Sequence, residues 1–239
     1  MRYLRQLPTS AIPMSTLLAR IELESAPQPT ASVIWLHGLG ASGDDFAAIV
    51  PELDLTGCPA IRFIFPHAPD MPVTLNGGYV MPAWYDIFGT EFGAGAVRRE
   101  DALGIAASAQ AIEALIAHEV ARGIDPAKIV LAGFSQGCAM ALHVGLRHPQ
   151  KLAGIMALSG YLPLAETLAA ERSSANADTP IFMAHGTQDP VVLPSRGEAA
   201  CVQLVALGYP VQWHSYPMPH SVHPSEVSDI SAFLWQVLS

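Results

Sequence analysis

A serine flanked by glycines is the residue of this chain best suited to nucleophilic chemistry. Residues 133–137 read Gly-Phe-Ser-Gln-Gly, with a strand-like apolar run before them and a helix-like apolar run after them. Strand, sharp turn and helix in that order are the setting of the G-x-S-x-G nucleophile elbow. The glycines make room for a strained serine, and the helix behind it points its positive end at developing negative charge. We therefore predict that Ser135 is a nucleophile.

An acid and a base that could activate this serine follow it in the chain. A serine hydroxyl needs a base to take its proton, and the base needs a carboxylate to orient it. In this architecture the acid and then the histidine come after the serine, each behind a strand. Asp189 follows the apolar run at 180–184, and His220 follows the last predicted strand. We assign Asp189 as the acid and His220 as the base. His223 is the alternative base, although its position near the final helix favours a capping or surface role.

Two backbone N–H groups are candidates for binding the oxyanion of an acyl-transfer transition state. One belongs to Gln136, the residue directly after the serine. The other should come from the loop after an early strand, and the apolar residues 33–36 are followed by His37-Gly-Leu-Gly. The glycines allow close backbone approach, so we assign the Leu39 N–H as the second donor. This turn has neither G-x-G-x-x-G nor a Walker lysine, which argues against nucleotide binding.

The elements that must position these groups alternate between strand-like and helix-like runs. This alternation predicts an α/β fold around a mostly parallel sheet. Helices are predicted over 101–122, directly after the serine, and over 225–238. Seven strands are predicted, near residues 17–23, 32–36, 61–65, 129–132, 155–158, 181–184 and 211–215.

Residues 66–99 do not follow this alternation. Four prolines and the pair Gly77-Gly78 predict no regular structure across most of the segment, yet it contains many large apolar side chains. A long loop of this kind is usually functional, so we predict a lid or a pocket wall. Leu75, Met81 and Trp84 are the candidates for substrate contact. For each of them, packing flat on the core is the alternative.

Length, charge and cysteine content narrow the class of protein. At 239 residues, the chain can form one core without disulfides, and we assign 15–239 to a single domain and 1–14 to a loose extension without signal-peptide features. The net charge of −9 argues against nucleic acid or anionic membranes as partners. No apolar stretch is long enough for membrane insertion. Three widely spaced cysteines predict a reducing, cytoplasmic location and no zinc site. The apolar composition is compatible with a homodimer without requiring one.

Together, these motifs resemble the phospholipase/carboxylesterase family, which includes bacterial carboxylesterases and the acyl-protein thioesterases. The resemblance covers about residues 30–238 and is carried by residues 37–40, 78–86, 133–137, 185–192 and 218–221. It implies an α/β-hydrolase fold of about seven strands, without a large cap and without a cofactor. It also implies Ser135, Asp189 and His220 as the triad, Leu39 and Gln136 as oxyanion donors, and Trp84 beside the acyl pocket.

The function expected from these residues is that of a serine carboxylesterase. It would hydrolyse short- to medium-chain acyl esters of small molecules through an acyl-enzyme, without a metal. The resemblance implies two alternatives, an acyl-protein thioesterase and a lysophospholipase. A catalytically silent scaffold that only binds a ligand is a remote alternative, because all three triad members are present in the required order.

Overall fold

The computed structural model describes residues 17–88 and 100–239. Within them the helices are α1 (Asp44–Ala47), α2 (Ala102–Ala121), α3 (Gln136–Arg147), α4 (Leu168–Glu171), α5 (Pro194–Ala206) and α6 (Pro224–Leu238). The strands are β1 (Arg20–Glu24), β2 (Ala31–Leu36), β3 (Ile61–Pro66), β4 (Asp70–Val73), β5 (Tyr79–Pro82), β6 (Ile129–Phe134), β7 (Gly154–Leu158), β8 (Ile181–Gly186) and β9 (Val211–Tyr216). The prediction for residues 1–14 lies outside the described residues.

Seven of the strands form one sheet in the order β1-β3-β2-β6-β7-β8-β9. Strand β1 is antiparallel to β3, and the other neighbours pair in parallel. Strands β2, β3, β6, β7 and β8 are buried along their whole length, as expected where helices cover both faces. The carboxyl ends of β2, β6, β8 and β9 therefore lie along the same edge, which is where ligands bind in open α/β sheets.

Apolar side chains pack on both faces of this sheet. One cluster includes Ile112 of α2, Leu142 of α3 and Leu204 of α5. The other includes Phe233 of α6 and Trp35 of β2. The predicted mostly parallel α/β sheet of seven strands is confirmed, and each predicted strand overlaps an observed one.

Helix α5 was missed by the sequence reasoning because of its composition. It begins with Pro194, which is favourable in a first turn, but it also contains Gly197. Glycine disfavours a helix interior, so the local pattern is weak. Gly197 packs directly on the ring of His185, and a Cβ atom at this position would meet the ring nitrogen Nδ1. Close packing between α5 and β8 therefore explains the glycine.

Segment 66–99 contains a hairpin where we predicted no regular structure, and the prediction was wrong for residues 70–82. Strands β4 and β5 pair antiparallel, with Pro72 opposite Val80 and Pro82 opposite Asp70. Each strand of a two-stranded hairpin has an unpaired edge, where the missing N–H of a proline is tolerated. The turn uses the Gly77-Gly78 pair at positive φ angles of 67° and 81°. The remainder of the predicted lid at 89–99 lies outside the described residues.

Candidate active site

Ser135 lies in a strained turn between β6 and α3. Its backbone has φ 55° and ψ −116°, a conformation that a non-glycine residue seldom adopts. Its N–H donates to the carbonyl oxygen of Leu158 at 2.9 Å, which ties the turn to β7. A Cβ atom at Gly133 would collide with the Gly137 carbonyl, and one at Gly137 would collide with the Leu36 carbonyl. The glycines on both sides of the serine are therefore required by close backbone packing.

Asp189 and His220 are joined by a short hydrogen bond at the carboxyl ends of β8 and β9. Nδ1 of His220 lies 2.6 Å from Oδ2 of Asp189. Oδ1 of Asp189 accepts the N–H groups of Val191 at 2.8 Å and Val192 at 2.9 Å. An ionised carboxylate can only accept, so Nδ1 carries the proton of the neutral imidazole. Nε2 of His220 is thereby left as a proton acceptor.

The loops that carry the acid and the base are bonded to each other through their backbones. Thr187 N–H donates to the Tyr216 carbonyl at 2.8 Å, and Gln188 N–H donates to the Met218 carbonyl at 3.1 Å. Gly186 lies so close to this loop that a Cβ atom would meet the Met218 and Pro219 carbonyls. The separation of acid and base is therefore fixed by main-chain contacts.

A cavity of about 330 Å³ brings the predicted reactive groups together. Ser135 and His220 both border it, although no hydrogen bond joins their side chains among the described residues. Such contacts are often long without a bound substrate. Leu39 and Gln136 border it as well, and in the described chain neither of their N–H groups donates to a protein acceptor. The other lining residues are Gly38, Ala41, Asp45, Leu75, Ile87, Phe134, Tyr161, Val191, Val192 and Arg196.

Comparisons with known proteins decide the family. Residues 19–238 match the family described as Phospholipase/Carboxylesterase. The chain belongs to this family. It is 41% identical over 224 residues to the acyl-protein thioesterase 1 of Gibberella zeae, covering 91% of this chain and 94% of that protein. It is 44% identical over 219 residues to the acyl-protein thioesterase 1 of Neurospora crassa, covering 87% of each.

A solved structure of the family agrees with the fold. The crystal structure of Zea mays acyl-protein thioesterase 2 superposes with a TM-score of 0.77 at 30% identity, covering 92% of this chain and 99% of that chain. The protein is thus a serine hydrolase with an α/β-hydrolase fold, as the sequence motifs implied.

The three residues predicted to contact substrate lie in different environments in this phospholipase/carboxylesterase family member. Leu75 lines the cavity and is 38% exposed. Trp84 is buried and donates its indole N–H to the His37 carbonyl at 2.8 Å, and it does not line the cavity. Met81 also lies outside the lining, where its sulfur accepts from the amide of Asn76 at 3.3 Å. Trp84 therefore braces the loop that carries Leu39, because an indole with a buried N–H needs an acceptor.

The side chain of Gln136 has a structural role that the sequence reasoning missed. Its Oε1 accepts the backbone N–H of Trp84 at 2.9 Å, and its Nε2 donates to the Tyr85 carbonyl at 2.7 Å. The side chain is buried, so these bonds replace water for both backbone groups. The residue after the serine therefore fixes the segment that follows β5 against the start of α3.

His37 fixes the other side of the oxyanion loop. Nδ1 donates to the Gly38 carbonyl at 2.7 Å, and Nε2 accepts the Ala68 N–H at 3.0 Å. Burial lowers the pKa of His37, which favours this neutral form. The Gly40 N–H donates to the Pro82 carbonyl at 2.8 Å, which ties the loop to β5. In the sequence, this role is indicated by a histidine directly before the glycines of the loop. The sequence reasoning assigned no role to this histidine.

Two further histidines near the acid have structural roles. His185 is buried, donates Nε2–H to the Val192 carbonyl at 2.8 Å, and lies 3.4 Å from Oδ2 of Asp189. His223 is the N-cap of α6, where its Nδ1 accepts the Ser225 N–H at 3.1 Å. The capping role favoured for His223 is confirmed, which leaves His220 as the histidine bonded to the acid.

One wall of the cavity carries a positive charge that the sequence motifs did not reveal. The guanidinium of Arg196 lies 3.6 Å above the ring of Tyr161, a cation–π geometry. The Tyr161 hydroxyl is 2.6 Å from that of Tyr85, whose pKa is raised by burial. Both Arg196 and Tyr161 border the cavity, so its surface is polar at this end and apolar around Leu75 and Ile87.

Neither a metal cluster nor a membrane-spanning helix is found in the described chain. Over residues 17–88 and 100–239, no group of three or more His, Cys, Asp or Glu side chains could hold a metal ion. In the same residues no helix has both the length and the apolar character needed to cross a bilayer.

Proposed function

We propose that this serine hydrolase cleaves acyl thioesters formed on cysteine side chains. The observation that carries the proposal is the hydrogen bond between Asp189 and His220, because His220 lines a cavity that Ser135 also borders. The choice of thioesters is supported by the relatives named acyl-protein thioesterase 1, at 41% and 44% identity. Oxygen-ester hydrolysis by the same groups is the second candidate, and the family description Phospholipase/Carboxylesterase favours it.

The first half of the reaction forms an acyl-enzyme. Oγ of Ser135 attacks the thioester carbonyl carbon while Nε2 of His220 takes the hydroxyl proton. Asp189 stabilises the resulting imidazolium, because its Oδ2 accepts the Nδ1–H bond at 2.6 Å. The carbon–sulfur bond then breaks, and the thiolate takes the proton from Nε2 and leaves as a thiol.

The second half of the reaction releases the acid. His220 removes a proton from water, which attacks the acyl carbon, and the carbon–Oγ bond breaks. The proton returns from Nε2 to Oγ of Ser135, so the enzyme is regenerated. The N–H groups of Leu39 and Gln136 bind the carbonyl oxygen in both tetrahedral intermediates. They lie on the cavity wall without other protein acceptors in the described chain.

The acidity of the leaving group determines how strongly acyl-enzyme formation depends on proton donation by His220. A cysteine thiol has a pKa of about 8.5, whereas an alcohol is a far weaker acid, so a thiolate leaves without full protonation. Thioesters therefore demand less of His220 as a general acid than oxygen esters do. Release of the acyl group is common to both substrates and still requires His220 as a base.

Two peptides with the same octanoyl group, one on cysteine and one on serine, test this proposal. We expect a higher kcat/KM for the thioester. We expect Ser135→Ala to lower kcat on it by about 10³-fold or more, since the nucleophile is lost. Ser195→Ala, at an exposed serine of α5 outside the cavity, is the matched control. Equal turnover by Ser135→Ala would refute the mechanism, and a preference for the serine ester would favour the second candidate.

A further inference from the structure

The proposed reaction determines where the leaving group of the substrate must lie. The inference drawn from this position rests on the proposed function. Nε2 of His220 delivers a proton to the leaving sulfur, so this sulfur lies against the imidazole. The rest of the leaving group must therefore extend past His220, away from the acyl chain.

A second cavity begins at this histidine. It has a volume of about 580 Å³ and shares Asp45, Phe134 and His220 with the first cavity, but it does not include Ser135. Its other lining residues include Phe46, Ile49, Glu52, Val222 and Val227. We call this cavity the leaving-group groove. When the scissile bond of a substrate lies at Ser135, the first cavity can hold the acyl chain and the leaving-group groove can hold the leaving group.

Among the residues that the structure describes, those that line the leaving-group groove carry only negative formal charge. The lining residues lie within segments 45–52 and 220–228, together with Phe134. The surrounding segments 44–56 and 220–239 contain no lysine or arginine and hold the acids Asp44, Asp45, Glu52, Asp54, Glu226 and Asp229. Asp45 and Glu52 are exposed where they line the groove.

The groove also has an apolar part. Phe46 is buried, while Ile49, Val222 and Val227 are half-buried along the same surface. Lysine and arginine combine an aliphatic stem with a terminal cation, so they can cover apolar surface and reach a carboxylate together. An anionic leaving group would meet repulsion from Asp45 and Glu52 at short range.

We propose that the leaving-group groove selects peptides in which lysine or arginine residues flank the acylated cysteine. Thiols that carry phosphate groups are disfavoured as leaving groups by the same charges. Glu52, which lines the groove and not the first cavity, is a specificity-determining residue of this subsite.

Two octanoyl-cysteine peptides of equal length, flanked by lysines or by glutamates, test this proposal. We expect kcat/KM to favour the lysine peptide by about tenfold at low ionic strength, because each exposed ion pair contributes up to about a fivefold effect. Near 1 M salt the Debye length falls to about 3 Å, so the ratio should approach one. A wild-type ratio of one or below at low salt would overturn the proposal.

The variant Glu52→Gln assigns the preference to the groove. We expect it to lower the ratio between the two peptides by up to about fivefold. Glu198→Gln, which removes the same charge from an exposed position on α5 outside both cavities, should leave the ratio as it is in the wild type. An equal loss in both variants would assign the preference to the net charge of the molecule and overturn the groove as its origin.

Failure of this proposal is distinguishable from failure of the proposed function. Hydrolysis of both peptides at equal rates, with loss of activity in Ser135→Ala, would remove the charge preference and leave the thioesterase mechanism standing. Absence of hydrolysis for both peptides would remove the proposed function, and the groove proposal with it.

Discussion

The Asp189 carboxylate holds the His220 imidazole at 2.6 Å across 31 positions of sequence. The other carboxylate oxygen is held by the N–H groups of Val191 and Val192. Because both oxygens are occupied, the carboxylate has one orientation and the imidazole has one tautomer. This pair is therefore the part of the site that a single polar substitution should disrupt most.

Asp189→Asn should abolish most activity without unfolding the protein. The asparagine oxygen can still accept from Val191 and Val192, but its NH₂ group would donate to Nδ1 of His220 and place the proton on Nε2. We expect kcat to fall by about 10³–10⁴-fold, the size of effect seen when a triad carries the wrong tautomer. Steady-state kinetics on the octanoyl thioester peptide measures it. Asp178→Asn, at an exposed carboxylate, serves as the control. A loss below tenfold would contradict the role of Asp189.

Gln136→Ala should destabilise the protein although it retains the backbone N–H proposed for the oxyanion. The substitution leaves the Trp84 N–H and the Tyr85 carbonyl without their partner. Each buried unpaired group costs about 1–3 kcal/mol, so we expect the free energy of unfolding to fall by about 2–6 kcal/mol. Urea unfolding measures this loss. Gln110→Ala, at an exposed position of α2, should change the free energy of unfolding by less than about 0.5 kcal/mol. Similar stability of the two variants would contradict the clamping role.

Glu226→Gln should change how stability depends on pH. Burial, and then the nearby charge of Asp229, raise the pKa of Glu226 to about 7 against a usual value of 4.5. A raised carboxyl pKa stabilises the folded state fully below about pH 4.5, and the contribution is lost as the pH rises through about 7. We expect the wild type to lose roughly 2–3 kcal/mol more than Glu226→Gln between pH 4.5 and pH 8.

Urea unfolding at these two pH values, with Glu198→Gln as the exposed control, measures the difference. Glutamine retains an oxygen that can accept the His223 N–H, so the cap of α6 is kept. Parallel pH profiles for wild type and Glu226→Gln would show that the carboxyl is not protonated in the folded protein.

The sequence predicted the positions of Ser135, Asp189 and His220 because each follows a predicted strand. Apolar runs identify such strands, and parallel strands bring their carboxyl ends to one edge. The position of His223 next to the final helix then distinguished it from His220, and His223 does cap that helix. The prediction of the three reactive residues therefore depended on local sequence patterns and on the rule that parallel strands end at the same edge of a sheet.

The parts that sequence reasoning missed depend on contacts between distant segments. The Gln136 side chain meets Trp84 across 52 positions, and no local pattern specifies this pair. Strands β4 and β5 were hidden by their prolines, which are tolerated because each strand of the hairpin has an unpaired edge. Trp84 lies beneath the loop beside the cavity instead of lining it, because its indole N–H reaches the His37 carbonyl. Packing of this kind has no signature in composition.

The main-chain hydrogen bonds between the loops after β8 and β9 affect how much the acid and the base must rearrange during catalysis. The N–H groups of Thr187 and Gln188 bind the loop that carries His220, so the imidazole and the Asp189 carboxylate keep a constant separation. The Asp189 carboxylate therefore needs little rearrangement when His220 becomes positively charged. Electrostatic stabilisation is most effective when the stabilising group is already in place.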